Sequence, residues 1–273
     1  MLICQLTNCT PIQMMGYVIK TKNGKLIVID GGGYGQGAPI EKVIKDWGGK
    51  VDMWFITHNH SDHYASVMEL VRGGADIEIN GFWRNNCTGD AKDALPESEK
   101  KELDEWLEFE SECNIPMHQM HLDEKFCIDG VGIEVIGVDN PEITSNNPNN
   151  QSVVLRLSEG GFSMIFLGDL GVEGGEKLIE TAGGKIRATA VQMAHHGQCG
   201  VDFDVYEKIG AKFAFWPTPK WLWDNTPYLG GEPGKGSFKT PETIKWAEKL
   251  GMTNIVSFDN NTVFDTEKQK IVD

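Results

Sequence analysis

The stretch Thr57-His58-Asn59-His60-Ser61-Asp62-His63-Tyr64 sets three imidazoles and one carboxylate directly after the apolar run Met53-Trp54-Phe55-Ile56. The apolar run reads as a buried strand. Ser61 and Asp62 then open a helix through YASVMELVR that stops at Gly73. His58 and His60 are two apart on extended chain, so their rings can point the same way. Asp62 and His63, at the mouth of the helix, can face a second point close by. Neutral imidazoles beside carboxylates form the ligand set expected for Zn²⁺ or Mn²⁺. A merely solvated loop would not gather three of the chain's seven histidines.

Two more histidines follow a later strand, as ATAVQMA runs into His195, His196 and Gly197. Between the two clusters, FSMIFLG leads to Asp169, flanked by glycines that let other groups approach. A carboxylate can bridge two cations about 3.5–4 Å apart, the spacing of two-metal hydrolysis. The expected ligands are therefore His58, His60, Asp62, His63, Asp169 and one of the 195–196 pair. Of His195 and His196, one can ligate metal while the other hydrogen-bonds substrate. Asp30, at the end of KLIVID, is placed behind a ligand as its orienting partner. The GGGYGQG loop after it lacks the GxxxxGK[ST] lysine and the GxGxxG spacing of phosphate loops, so it reads as backbone passing near the site.

Working outward, GYVIKT and KLIVID form a hairpin across Asn23-Gly24, and APIEKVIKDWGG is a helix. ADIEINGFW is expected to be one strand, followed by a charged helix around SEKKELDEWLEFESEC and by strands MHQMHL, KFCI and GIEVIGV. QSVVLRLSEGGFSMIFLGD is a second hairpin. Helices and strands then alternate to NIVSF. Two blocks of this kind predict an α/β (α+β) fold in which two sheets pack face to face with helices outside. The whole of 1–273 is expected to be one domain of two pseudo-equivalent halves.

Composition narrows the function. A formal net charge of −15, with 40 acidic residues and no basic stripe, argues against long nucleic acid and for a small anionic substrate drawn to a locally positive site. No run approaches the roughly 20 apolar residues of a membrane span. Six scattered cysteines without a CxxC favour reduced thiols and a cytoplasmic setting. The sequence is silent on oligomeric state. The loop FWPTPKWLWDNTPYLGG holds Trp216, Trp221, Trp223 and Tyr228, which either pack the loop or form an aromatic wall for substrate, for example around a cationic headgroup.

HxHxDH at 58–63, an Asp after an apolar strand and a downstream His together resemble the metallo-β-lactamase superfamily, over nearly the whole chain. The resemblance implies a four-layer αββα sandwich. More narrowly, NNPNNQSVVLRLSEGGFSMIFLGDL followed by AHHG looks like the hydrolase domain of the competence protein ComEC and its soluble relatives. In that branch an Asn-rich NxxS segment, matched here by Asn149 and Ser152, stands where other members carry a further metal-binding His. HxHxDH departs from the HxDxDH frequent in the competence proteins, a difference that bears on metal preference.

The resemblance implies two divalent ions, zinc first and manganese as alternative, and hydrolysis of a phosphodiester. Asp62 would orient the attacking water, while His195 and Asn149 would contact the phosphate. Hydrolysis of a carboxylic ester, thioester, lactone or lactam is the second reading, and a non-catalytic metal-binding module the third. His118 and His121, in PMHQMHL, are expected to stay outside the site.

Overall fold

Alternate residues of the strand Leu26–Asp30 are buried on opposite faces, Ile27 and Ile29 in one apolar cluster and Leu26 and Val28 in another. A strand covered on both sides reads as an unbroken apolar run, which is why LIVID shows no polar alternation. The same holds for Phe162–Phe166, where Met164 and Phe166 face one cluster and Ile165 a third. The computed structural model describes residues 1–228 and 230–272.

In chain order the first part comprises β1 (Leu2–Gln5), β2 (Gly16–Lys20), β3 (Leu26–Asp30), α1 (Gly37–Trp47), β4 (Lys50–Val51), β5 (Met53–Ile56) and α2 (Ser61–Arg72). Then come β6 (Glu78–Ile79), β7 (Phe82–Arg84), α3 (Gly89–Asp93), α4 (Glu97–Glu112), β8 (Met117–Gln119), β9 (Lys125–Ile128) and β10 (Val131–Gly137). The chain continues through β11 (Val154–Glu159), β12 (Phe162–Phe166), α5 (Val172–Ala182), β13 (Ala190–Gln192), α6 (Phe203–Ile209) and β14 (Phe213–Trp216). It ends with α7 (Lys220–Trp223), α8 (Thr240–Lys249), β15 (Thr253–Val256), β16 (Thr262–Asp265) and β17 (Lys270–Val272).

Eight strands form one sheet in the order β17-β16-β1-β2-β3-β5-β7-β8, and seven form another in the order β15-β14-β13-β12-β11-β10-β9. In each, an antiparallel run turns parallel, at β3–β5 and at β12–β13. The inner faces meet in a core that includes Tyr17, Ile29, Phe55, Leu155, Phe166 and Phe215. One outer face is covered by α1, α2 and α4 through Ile40, Ile44, Val67, Trp106 and Phe109. The other packs Leu178, Val205, Tyr206 and Ala247 from α5, α6 and α8. Each such side chain contributes roughly 1.5–3 kcal/mol by leaving water. Helix, sheet, sheet, helix is the layering expected from the sequence.

Two details differ. ADIEINGFW is not one strand. It breaks at Asn80-Gly81, so that β6 pairs with β4 in a two-stranded ribbon and β7 joins the large sheet. The chain also does not end its sheets at NIVSF, because β16 and β17 return to pair beside β1.

Candidate metal centre

The ends of the parallel strands build the site. Asp30 closes β3; His58 and His60 lie on the turn after β5; Asp62 and His63 occupy the first turn of α2, which His60 caps. From the facing sheet come Asp169, three residues past β12, and His195 and His196, three and four past β13. Asp30, His195 and His196 hold left-handed backbone, with φ of 53°, 50° and 53°. Non-glycine residues adopt this region sparingly, and it turns each side chain sharply off its strand end. Two glycines permit the close approach. A Cβ on Gly168 (φ 57°) would meet Ser152 Oγ at 2.8 Å, and one on Gly197 (φ 75°) would meet the Trp216 ring at 2.4 Å. Gly168 O also accepts the His195 backbone N–H at 3.0 Å, tying the two turns together.

The side chains converge as two groups that share one residue. Asp62, His63, Asp169 and His196 form the first, and His58, His60 and Asp169 the second, with the donor atoms within 4.8 Å of one another in each. His63 Nε2, His196 Nε2 and Asp169 Oδ1 are buried and have no hydrogen-bond partner among the described residues. Buried polar atoms are nearly always satisfied. Three orphans within one group of closely spaced ligand atoms fit a metal ion.

The other ring nitrogens are occupied. His63 Nδ1 lies 2.7 Å from Asp30 Oδ2, His196 Nδ1 3.0 Å from Pro217 O, and His58 Nδ1 3.1 Å from Thr57 Oγ1. These contacts leave Nε2 of His63 and His196 as free donors and turn Nε2 of His58 toward His60. His60 is turned the other way, its Nδ1 3.0 Å from His58 Nε2 and its Nε2 2.9 Å from Glu99 Oε2 on α4. The sequence reading missed Glu99, one glutamate among many on a charged helix.

Charge follows the same pattern. Burial would depress His63 and His196, but the nearby carboxylates, Asp169 foremost, outweigh it, raising His63 well above the imidazole range and His196 to about 9. Burial by itself would raise Asp169, yet His196, His63 and His195 hold it well below the carboxylate range. Carboxylates packed around two buried imidazoles mark a site that favours positive charge.

His195 stays apart from both groups, its Nε2 3.8 Å from Asp169 Oδ2 and its Nδ1 3.3 Å from Cys199 O. Asn149 is buried, with Nδ2 donating to Asn146 Oδ1 and Oδ1 unpartnered among the described residues. Its neighbours build the Asp169 turn: Ser152 Oγ accepts Asp169 N–H at 3.0 Å, and Asn150 Oδ1 accepts Gly171 and Gly174 N–H.

The expected aromatic wall is corrected in part. Trp216 is the last residue of β14 and has no exposed surface; it lies beneath Gly197 and donates Nε1–H to Asn254. Trp223 packs on Trp216 and Phe258 in the outer core of the second sheet. Trp216 serves packing, because the turn that carries His196 rests on it, and Trp223 stays partly exposed beside it. Trp221 stacks edge-on with Tyr228 and Phe238, and Tyr228 is exposed. His118 stacks on Trp83 at an exposed edge, and neither it nor His121 joins a metal-type group among the described residues.

The family described as "Beta-lactamase superfamily domain" matches residues 34–257, and the chain belongs to it. Members of this superfamily are generally metal-dependent hydrolases. Among solved structures, the metallo-beta-lactamase fold protein YhfI from Bacillus subtilis matches with a TM-score of 0.56 at 11% identity, covering 97% of this chain and 100% of that one. CmlA, a diiron beta-hydroxylase from Streptomyces venezuelae, gives 0.58 at 11% identity over 96% of this chain and 53% of its own. Zn(2+)-bound PqqB from Methylobacterium extorquens gives 0.54 at 11% identity over 97% and 100%. These likenesses establish the fold. No curated protein sequence matches the chain significantly. All six cysteines are free, and no helix among the described residues is long and apolar enough to cross a membrane.

Proposed function

We propose that the protein is a binuclear metal-dependent hydrolase acting on a small or headgroup-type phosphodiester, through a single domain of two pseudo-equivalent halves. The observation that carries this reading is Asp169, one carboxylate common to both ligand groups. Asp62, His63, Asp169 and His196 would hold one ion, and His58, His60 and Asp169 the other; zinc suits the imidazole-rich set and manganese remains compatible with it. When bound, two such cations supply water activation near neutral pH and Lewis-acid stabilisation of developing negative charge.

The chain's own residues do the rest. Asp62 Oδ2 lies 3.1 Å from His196 Nε2, and this carboxylate would orient the attacking water as well as ligate. His195 is only partly buried, at 17% exposure. Its Nδ1 faces the Cys199 carbonyl, so Nε2 is the nitrogen that would contact the phosphate or protonate the leaving oxygen. The unpaired end of the Asn149 amide is the acceptor Oδ1, which would take a hydrogen bond from a water at the site or from a protonated phosphate oxygen. This amide, with Ser152 beneath the Asp169 turn, supports placement in the ComEC-type branch.

The fold itself hosts unrelated chemistries, so the reaction rests on the site. The test is a substrate panel on zinc- and manganese-loaded protein. Bis(p-nitrophenyl) phosphate should turn over faster than a p-nitrophenyl carboxylic ester or a chromogenic cephalosporin. The reverse order transfers the protein to acyl hydrolysis, and no turnover on any of them with metal bound favours a binding module.

A further inference from the structure

The two ligand groups are unequal. Four side chains converge in one and three in the other, which holds His58, His60 and Asp169. The poorer group includes the one ligand whose outward nitrogen faces a carboxylate from a separate helix. His60 Nε2 is 2.9 Å from Glu99 Oε2, with His60 and Glu99 exposed by 17% and 23%. That carboxylate oxygen is buried and makes no hydrogen bond among the described residues, which leaves the imidazole as its contact. Helix α4 is docked for this approach. Glu102 Oε2 accepts Ser61 N–H at 2.7 Å, Tyr64 Oη–H donates to Glu102 O at 2.7 Å, and Tyr34 of the glycine-rich loop reaches Glu105. The spacing Glu99, Glu102, Glu105 puts all three carboxylates on one face, toward the ligand turn.

Resting on the binuclear reading above, we infer that Glu99 is a positioning residue for the second metal. Its carboxylate fixes His60 with Nδ1 inward and adds negative charge where a protein ligand is lacking. In the four-residue group Asp30 stands in the same relation to His63. Each ligand group thus has one carboxylate-backed imidazole, and α4 supplies charge to the group with fewer ligands. Carboxylates behind metal-ligating histidines raise ligand basicity and hold the ring.

The experiment titrates metal-free protein with Zn²⁺ against a chromophoric chelator, for wild type, Glu99→Gln, Glu99→Ala and Glu108→Gln. Wild type should take up two equivalents. Glu99→Ala should weaken one of them about 10–100-fold and leave the other unchanged. Glu99→Gln, which keeps an acceptor but not the charge, should fall between. Glu108→Gln removes the same charge from an exposed position of α4 and should match wild type. Thermal unfolding of the metal-free proteins reports whether each variant is folded. Two wild-type equivalents with Glu99 variants that bind both normally, or that weaken both alike, overturn the role of Glu99 alone. Fewer than two equivalents in wild type overturns the binuclear reading and this inference with it.

Discussion

His63 Nδ1 lies 2.7 Å from Asp30 Oδ2 with both side chains fully buried, and the same carboxylate accepts the backbone N–H and the hydroxyl of Thr57, each at 2.8 Å. One carboxylate thereby ties the end of β3 to the ligand turn after β5. Asp30→Ala leaves a buried imidazole and two Thr57 donors unmatched. Breaking such a pair costs about 3–5 kcal/mol, and metal affinity should fall about 10–100-fold. Chemical denaturation and metal titration measure the two losses; a variant as stable and as metal-avid as wild type would show that the pair carries nothing.

The aromatic residues of the 216–228 segment divide between core and surface. Trp216→Ala should lose about 3–5 kcal/mol of stability by emptying the floor beneath Gly197. Trp221→Ala should raise KM with little change in Tm if Trp221 and Tyr228 line a substrate wall. A large drop in Tm with unchanged KM would assign Trp221 to packing as well.

The protons on the metal-free site give a pH signature. Its carboxylates raise His196 to about 9 in the folded protein from 6.5. The stability this adds to the metal-free protein is complete below pH 6.5 and is lost as pH rises through about 9. A cation takes the imidazole only when it is neutral, so metal affinity should move oppositely and tighten over the same interval. Zn²⁺ titrations and thermal unfolding across this window test both slopes. Affinity that does not change with pH contradicts the proton-filled site.

Much of the site was legible because its ligands sit in short segments. His58, His60, Asp62 and His63 fall within one turn and a helix start, and the spacing alone implied convergence. Asp169 and His196 were found as polar residues after apolar strands, where a parallel sheet must present its ends. The remainder depended on packing across long separations. Thr262–Asp265 carries no turn chemistry that would reveal its return to β1, more than 250 residues away. Asn80-Gly81 splits a run whose apolar content suits a single strand. Trp216 read as part of an aromatic loop because Pro217 follows it, yet it closes β14 and packs against Trp223 of α7 and the His196 turn. Glu99 was indistinguishable in a helix with glutamates on every face; only docking of α4 selects it.

The central claim is that Asp169 is common to two metal sites, and elemental analysis of wild type beside Asp169→Ala tests it most directly. Two divalent ions per chain in wild type, at least one lost in the folded variant, and phosphodiesterase turnover abolished with it are the predicted result. An Asp169→Ala protein that keeps two ions and full turnover would contradict the account.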